Sequence, residues 1–125
     1  MLSIERLPKH AEAILTMAPY TNEITLSDIK MQVAAVCKVN MADFLSSRRS
    51  VPLVRARHIY FALARELTVR TYPQIAFHCG RRDHSTAVHG AQKVAMFPED
   101  FEPEMTIARY EIQARQRSAV AETNT

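Results

Sequence analysis

Glycine is nearly absent from this chain, because its 125 residues contain only Gly80 and Gly90. Architectures of β-strands joined by many tight turns need more glycine, and so do the glycine-rich loops that bind nucleotides. Apolar residues make up 47% of the chain, which argues against general disorder. We therefore predict an all-α fold of one domain with short extensions.

Apolar residues recur at helical spacing between segments rich in proline, glycine or polar residues. Thr25 to Asp28 and Thr71 to Gln74 have the pattern of capping segments, and Gly80 suits a left-handed helix end. Leu45 is expected to point inward, whereas Arg57 is expected to lie off the apolar stripe of its helix. The predicted helices cover residues 8–18, 26–39, 41–46, 52–67, 72–77, 83–94 and 104–120.

Residues 72–94 have the pattern of a helix-turn-helix, with a short capped helix, about four turn residues and a second helix. The apolar positions of the second helix begin only at Ala87. A recognition helix needs this division, because its first turn reaches base edges in the major groove while its later positions pack on the domain. The residues predicted to face the major groove are Arg82, Asp83, His84, Ser85 and Thr86.

Basic residues are concentrated in the middle of the chain. The net charge is +3, but residues 47–93 contain nine Lys or Arg residues and only two acidic ones. A basic block between neutral and acidic flanks favours a polyanionic partner, and its alternative is a solvated basic face. Arg48 and Arg49 lie in the polar stretch 46–50. An arginine pair in a loop suits contact with a narrow minor groove, and the alternative is a solvated loop with two exposed arginines.

The stretch from Ile24 to Val94 resembles the C-terminal DNA-binding domain of the bacterial replication initiator DnaA. Residues 80–89, GRRDHSTAVH, resemble that family's GGRDHTTVxH signature. Residues 45–50, LSSRRS, resemble its arginine loop, and ARH at 56–58 with ALARELT at 62–68 resemble its long helix. The resemblance implies a helix-turn-helix of the DnaA C-terminal, Trp-repressor-like type with short helical extensions at both ends.

The same resemblance implies a set of DNA contacts. Arg49 would enter the minor groove with Arg48 beside it, and residues 82–86 would face the major groove. The family's target is a short asymmetric duplex site, the DnaA box, rich in A·T at one end and ending in CACA. The residues expected near phosphates are Arg65, Pro73, Arg81, His89 and Lys93.

Two departures from the family signature fall among the residues expected to set the site preference. Ser85 stands where the family usually has threonine, which keeps a hydroxyl but loses a methyl group that can meet thymine. Arg81 replaces the second glycine and adds charge at the turn. Only residues 1–23 precede the stretch in this sequence, and it contains no GxxxxGK[ST] loop, so we expect this chain to lack the family's ATPase module. We expect no ATP binding by this chain and no cofactor.

Three parts are expected: an N-terminal helical extension (1–23), the DNA-binding domain (24–95), and a C-terminal helix with a frayed tail (96–125). The predicted function is sequence-specific binding of double-stranded DNA in replication initiation or its regulation. A transcriptional regulator or a phage- or plasmid-derived protein with this fold is the alternative. A helical protein-interaction module, with its partner on the terminal helices, is another.

Chemical alternatives are weaker. His78, Cys79, His84 and His89 fit no common zinc-finger spacing. Cys79 as a nucleophile would need a base and a pocket, so we expect no enzyme. Two cysteines and no secretory signal indicate a cytoplasmic protein. The resemblance to DnaA implies a bacterial, nucleoid-associated one. No segment approaches the roughly 20 apolar residues of a membrane span.

Overall fold

The computed structural model describes the backbone of residues 23–123 and the side chains of residues 23–118. The helix predicted at 8–18, and with it nearly all of the predicted N-terminal extension, lies outside the described residues. Within the described range the chain forms helices and no strand, which confirms the all-α prediction. The helices are α1 (Leu26–Cys37), α2 (Met41–Leu45), α3 (Val51–Leu67), α4 (Tyr72–His78), α5 (Ser85–Met96) and α6 (Glu104–Thr123), with a 3₁₀ turn at Pro98–Phe101.

Local capping chemistry sets several helix ends as expected. The Thr25 hydroxyl accepts from the Asp28 N–H at 3.1 Å, and the Asp28 carboxylate accepts from the Thr25 N–H at 3.3 Å. The same reciprocal pair joins Thr71 and Gln74 at the start of α4. Helix α1 ends at Cys37, two residues before the predicted end, because Lys38 adopts a left-handed conformation with φ of 58°.

Helix α3 is the centre of the molecule and contacts all five other helices. Its buried residues point in several directions, as a helix surrounded by neighbours requires. The apolar core extends from α1 through α3 to α6. Its large, fully buried side chains include Ile29, Phe44, Ile59, Tyr60, Phe61, Leu63, Ile75 and Ile112.

Two expectations about side-chain burial were wrong. Leu45 is 37% exposed, since α2 ends there and the chain turns away from the core. Arg57 is only 4% exposed, because it shares a helical stripe with the buried residues Leu53, Tyr60 and Ala64. The predicted apolar stripe of α3 runs through other positions and leaves out Arg57.

Helix α6 joins the same core as the preceding helices. Met105, Ala108 and Ile112 are buried, as predicted, and α6 packs along α1. The helix continues to Thr123, three residues past its predicted end at Val120. The division of the chain at residue 95 stays a prediction, although the hydrophobic core extends across it.

Two ion pairs connect α3 to the C-terminal part. Arg55 donates to the Asp100 carbonyl and, at 2.9 Å, to the Glu104 carboxylate. The hydrogen bond between Arg55 and Glu104 lowers the pKa of Glu104. Arg109 donates to both carboxylate oxygens of Glu66, at 2.6 and 3.0 Å. Both basic–acidic pairs are partly exposed, so they orient the helices more than they stabilise the fold.

None of the helices within residues 23–123 combines the length and the hydropathy that crossing a membrane requires.

Gly90 allows α5 to lie close to α3. A Cβ atom at this position would stand 2.6 Å from the Phe61 ring and 2.9 Å from the His58 ring. Both rings are fixed in or beside the core, so Gly90→Ala is expected to lower the free energy of unfolding by about 1–2 kcal/mol, despite alanine's better helix propensity. Chemical denaturation measures this change. The exposed neighbour is the control: Gln92→Ala should change stability by less than about 0.5 kcal/mol. Equal stability of both variants would contradict the close packing.

Candidate DNA interface

The turn between α4 and α5 is built around a glycine. Gly80 has φ of +76°, the left-handed conformation that its position in the sequence predicted. A Cβ atom there would lie 2.9 Å from the Leu45 carbonyl oxygen, so the turn also rests on the end of α2. Helices α4 and α5 pack together, and buried Ile75, Ala76 and Ala87 lie in the core beneath them.

The first turn of α5 is polar and faces solvent. The Asp83 carboxylate accepts from the Ser85 N–H at 2.9 Å, and this bond lowers the pKa of Asp83. His84 occupies the N-cap position without a side-chain bond, so Asp83 supplies the capping acceptor from one residue earlier. Ser85 is half-buried, whereas Arg82, Asp83, His84 and Thr86 are exposed.

Residues 46–50, which we call the arginine loop, connect α2 to α3. The loop is held from below by Arg57, whose guanidinium donates to four backbone carbonyl oxygens. These are the carbonyls of Phe44 at 2.8 Å, Arg48 at 2.6 Å, Asp43 at 2.9 Å and Ser46 at 3.0 Å. Burial, followed by the nearby charge of Arg81, lowers the pKa of Arg57. One buried cation therefore holds both the end of α2 and the first part of the loop, at Ser46 and Arg48.

Arg48 and Arg49 have different surroundings at the top of this loop. Arg48 donates to the Asp43 carboxylate at 3.0 Å in an exposed ion pair, which solvent and salt weaken easily. Arg49 is exposed, and among the described residues its guanidinium has no hydrogen-bond or ion-pair partner. Arg49 is thus the loop cation that is free to meet an external anion.

Two clefts meet along one face of the molecule. The first, of about 370 Å³, runs between the arginine loop and α5 and includes Arg49, Arg81, Thr86 and His89. The second, of about 320 Å³, runs toward the end of α5 and includes Arg49 and Lys93. Arg49, Val54 and His58 border both clefts. The face is therefore continuous from the first turn of α5 past Arg49 to Lys93.

His58 lies in this face between the two clefts. It is half-buried and packs edge-on against the Phe101 ring at 6.1 Å between centroids. Burial, followed by the charge of Lys93, lowers the pKa of His58, so its imidazole is mainly neutral at pH 7. The positive charge around the clefts therefore comes from arginine and lysine side chains, which are Arg49, Arg57 and Arg81 at the first cleft and Arg49, Arg55 and Lys93 at the second.

The predicted phosphate contacts divide into four groups. His89 and Lys93 are exposed on α5 and border the clefts. Arg65 stacks over the Tyr72 ring at 4.9 Å and donates to the Arg70 carbonyl, which places it at the start of α4. Pro73 lies on α4 in a separate groove. Arg81 is half-buried, and its guanidinium donates to the Ser46 carbonyl at 2.9 Å.

Sequence reasoning missed the role of Arg57. Its register on α3 carried the necessary signal, because positions 53, 57, 60 and 64 fall on one helical stripe and the other three residues are apolar. An arginine in such a stripe must find several acceptors, since leaving a buried guanidinium unsatisfied is costly. The sequence of α3 does not show which groups those acceptors are.

The cysteines and histidines are dispersed. Burial raises the pKa of Cys37 and of Cys79 to about 11 in each case, so both thiols are protonated. Across residues 23–118 no group of three His, Cys, Asp or Glu side chains is placed to hold a metal ion.

Helices α4 and α5 and the turn between them make up a helix-turn-helix. The first helix is short and capped, the turn contains a glycine, and the second helix begins with a polar turn that faces solvent. The arginine loop lies beside it. These features define a helix-turn-helix DNA-binding protein. Residues 26–94 match the family described as bacterial dnaA protein helix-turn-helix. Because this match covers more than half of the chain, the chain belongs to that family and binds double-stranded DNA through the helix-turn-helix.

Proposed function

We propose that the chain recognises a short asymmetric duplex site of the DnaA-box type by contacting both grooves at once. In this arrangement Arg49 enters the minor groove with Arg48 beside it. Residues 82–86 meet base edges in the major groove, where Arg82 can bond to guanine and the Ser85 and Thr86 hydroxyls to other bases. Replication initiation, or its regulation at such sites, is the process that we propose the binding serves.

One observation carries this proposal: Arg49 and Thr86 border the same cleft. The two side chains come from elements 37 positions apart in sequence, and both are exposed on one face. A duplex that seats the start of α5 in its major groove presents the adjoining minor groove to a neighbouring cation. His89 and Lys93 extend the face along α5, where phosphates would run.

The test compares binding to a duplex with a DnaA box and to a duplex of the same composition with the box shuffled. Titrations at several salt concentrations separate sequence-dependent affinity from counterion release. We expect tighter binding to the box at every salt concentration. Equal affinities would refute recognition of this site while leaving DNA binding intact, and selection from random duplexes would then identify the preferred sequence.

Arg65 is expected to act on phosphates and not on bases. It stacks on Tyr72 at the start of α4 and donates to the Arg70 carbonyl just before that helix. Arg65→Ala should therefore weaken binding to box and shuffled duplexes alike and reduce the slope of log affinity against log salt by about one unit. The salt series measures both. A loss confined to the box duplex would contradict a phosphate role.

Thr86 is expected to act on bases. Its side chain is exposed in the first cleft, and both its hydroxyl and its methyl group can read a base edge. Thr86→Ala should reduce the preference for the box by about 1 kcal/mol while the salt slope stays the same. Site selection with the variant measures this preference, and Thr86→Ser is the control that keeps the hydroxyl. A changed slope with an unchanged preference would remove Thr86 from the bases.

A further inference from the structure

We propose that Arg81 is a positioning residue that holds the arginine loop in register with the first turn of α5. This role differs from the phosphate contact that the sequence suggested, and the DNA measurements below rest on the proposed function of Arg49. Arg81 stands in the turn between α4 and α5, one residue before the exposed Arg82. Its guanidinium reaches across to the loop and donates to the Ser46 carbonyl at 2.9 Å.

The Ser46 carbonyl is the point where two parts of the molecule meet. It accepts from Arg57 of α3 at 3.0 Å as well as from Arg81 of the turn. A carbonyl oxygen has two lone pairs, so these two bonds saturate it. Arg57 thus fixes the loop to the core, and Arg81 fixes the same atom to the helix-turn-helix.

A second contact lies beside this one. The backbone of Gly80 approaches the Leu45 carbonyl so closely that a Cβ atom would stand 2.9 Å from its oxygen. The turn between α4 and α5 therefore meets the chain at two successive carbonyls: Gly80 contacts that of Leu45 at the end of α2, and Arg81 donates to that of Ser46 at the start of the loop. Arg49 follows Ser46 by three residues, so the place of Ser46 determines where Arg49 stands relative to Thr86.

Positioning has a different consequence from a phosphate contact. A phosphate contact adds the same affinity on every sequence and contributes to the salt slope. A bond that sets the spacing between two groove-reading elements matters only where both elements bind, and Arg81 should then be coupled to Arg49. Removing the bond between Arg81 and the Ser46 carbonyl should reduce the discrimination between box and shuffled duplexes and leave the salt slope nearly unchanged.

The first measurement needs no DNA. The Arg48 N–H donates to the Ser46 hydroxyl at 3.2 Å, so its hydrogen exchange reports on the loop at Ser46. Arg81→Met, which keeps length but removes the donors, should speed this exchange by about 2- to 10-fold, as loss of one hydrogen bond does. The matched control is Arg82→Met, because Arg82 is the exposed neighbour and should leave the exchange unchanged. Equal exchange in both variants would overturn the proposal.

The second measurement is a double-mutant cycle of Arg81→Met with Arg49→Ala on the box and shuffled duplexes. Arg81→Met should reduce the affinity ratio of the two duplexes by about threefold or more, and this loss should largely vanish when Arg49 is already alanine. Arg82→Met should show no such coupling. Additive losses that are equal on both duplexes, with a salt slope lower by about one unit, would return Arg81 to the phosphates.

Two further measurements separate the role of Arg81 from a folding defect and from the proposed contact of Arg49. If Arg81→Met does not fold, Arg81→Ala removes the same donors with a smaller side chain, and it should still reduce the affinity ratio. An affinity ratio that Arg81→Ala leaves unchanged would overturn the proposal. If Arg49→Ala has no effect on the box, the proposed contact of Arg49 fails, while the exchange measurement still decides the role of Arg81.

Discussion

Replacing Arg57 by methionine is expected to lower the free energy of unfolding by about 3–5 kcal/mol. Arg57 is 4% exposed, and its guanidinium donates to four carbonyl oxygens between Asp43 and Arg48. Methionine fills similar space but donates nothing, so several partly or fully buried carbonyls lose their partner. The loss should appear as a lower denaturation midpoint in guanidinium chloride with little change of slope.

The control for this prediction is the same substitution at an exposed arginine. Arg70→Met should alter stability by less than about 0.5 kcal/mol. Arg57→Lys tests geometry, because lysine keeps the charge but lacks the planar fork that reaches four acceptors, and it should recover only a minor part of the loss. Full recovery by lysine would contradict the hydrogen-bond account and leave charge as the cause.

The Arg57 substitution should also affect DNA binding by the fraction that remains folded. Without the guanidinium, the backbone from Asp43 to Arg48 loses its support from α3, and Arg49 loses its fixed place. Affinity for the box duplex should then fall more than affinity for the shuffled one. Binding measured well below the melting temperature, with the folded fraction set by circular dichroism, separates this effect from unfolding.

Local features of the sequence predicted much of the fold because their causes act within a few residues. The reciprocal caps at Thr25 and Thr71 and the left-handed Gly80 each depend on neighbours in the chain. Such features need no knowledge of the tertiary arrangement.

The remaining features depend on contacts between distant parts of the chain. Arg81 finds its acceptor 35 residues away, and Arg55 finds Glu104 49 residues away. A count of charges therefore overstated the free cations in the basic block, since Arg55 and Arg57 are engaged inside the fold. Helical periodicity places residues on a face, but it does not say which loop carbonyl lies opposite.

The same distinction applies to the proposed interface. The polar first turn of α5 could be read from residues 82–86, since a helix start with no apolar position must face outward. Arg49 and Thr86 border the same cleft. The spacing of residues in the sequence does not predict this, because it depends on the support of the arginine loop by Arg57 and Arg81. Arg57 and Arg81 thus hold the loop, whereas Arg49 is the arginine that we propose contacts DNA.

Removing both proposed arginine contacts in the grooves should cause the largest loss of affinity. Arg49→Ala and Arg82→Ala are each expected to cost about 1–3 kcal/mol on the box duplex. The two side chains read different grooves, so the losses should add to about 2–6 kcal/mol and bring specific binding close to the non-specific level. Fluorescence anisotropy with box and shuffled duplexes measures the loss.

The control for the double variant must remove the same charge from a different surface. Arg115→Ala with Arg117→Ala does so on α6, where both side chains are exposed. Because the net charge falls by two in either case, general electrostatic attraction weakens similarly, but only the groove variant should lose the preference for the box. If both double variants lost the same affinity on both duplexes, Arg49 and Arg82 would act through charge alone. The recognition of a site would then have to come from the other residues of the first turn of α5.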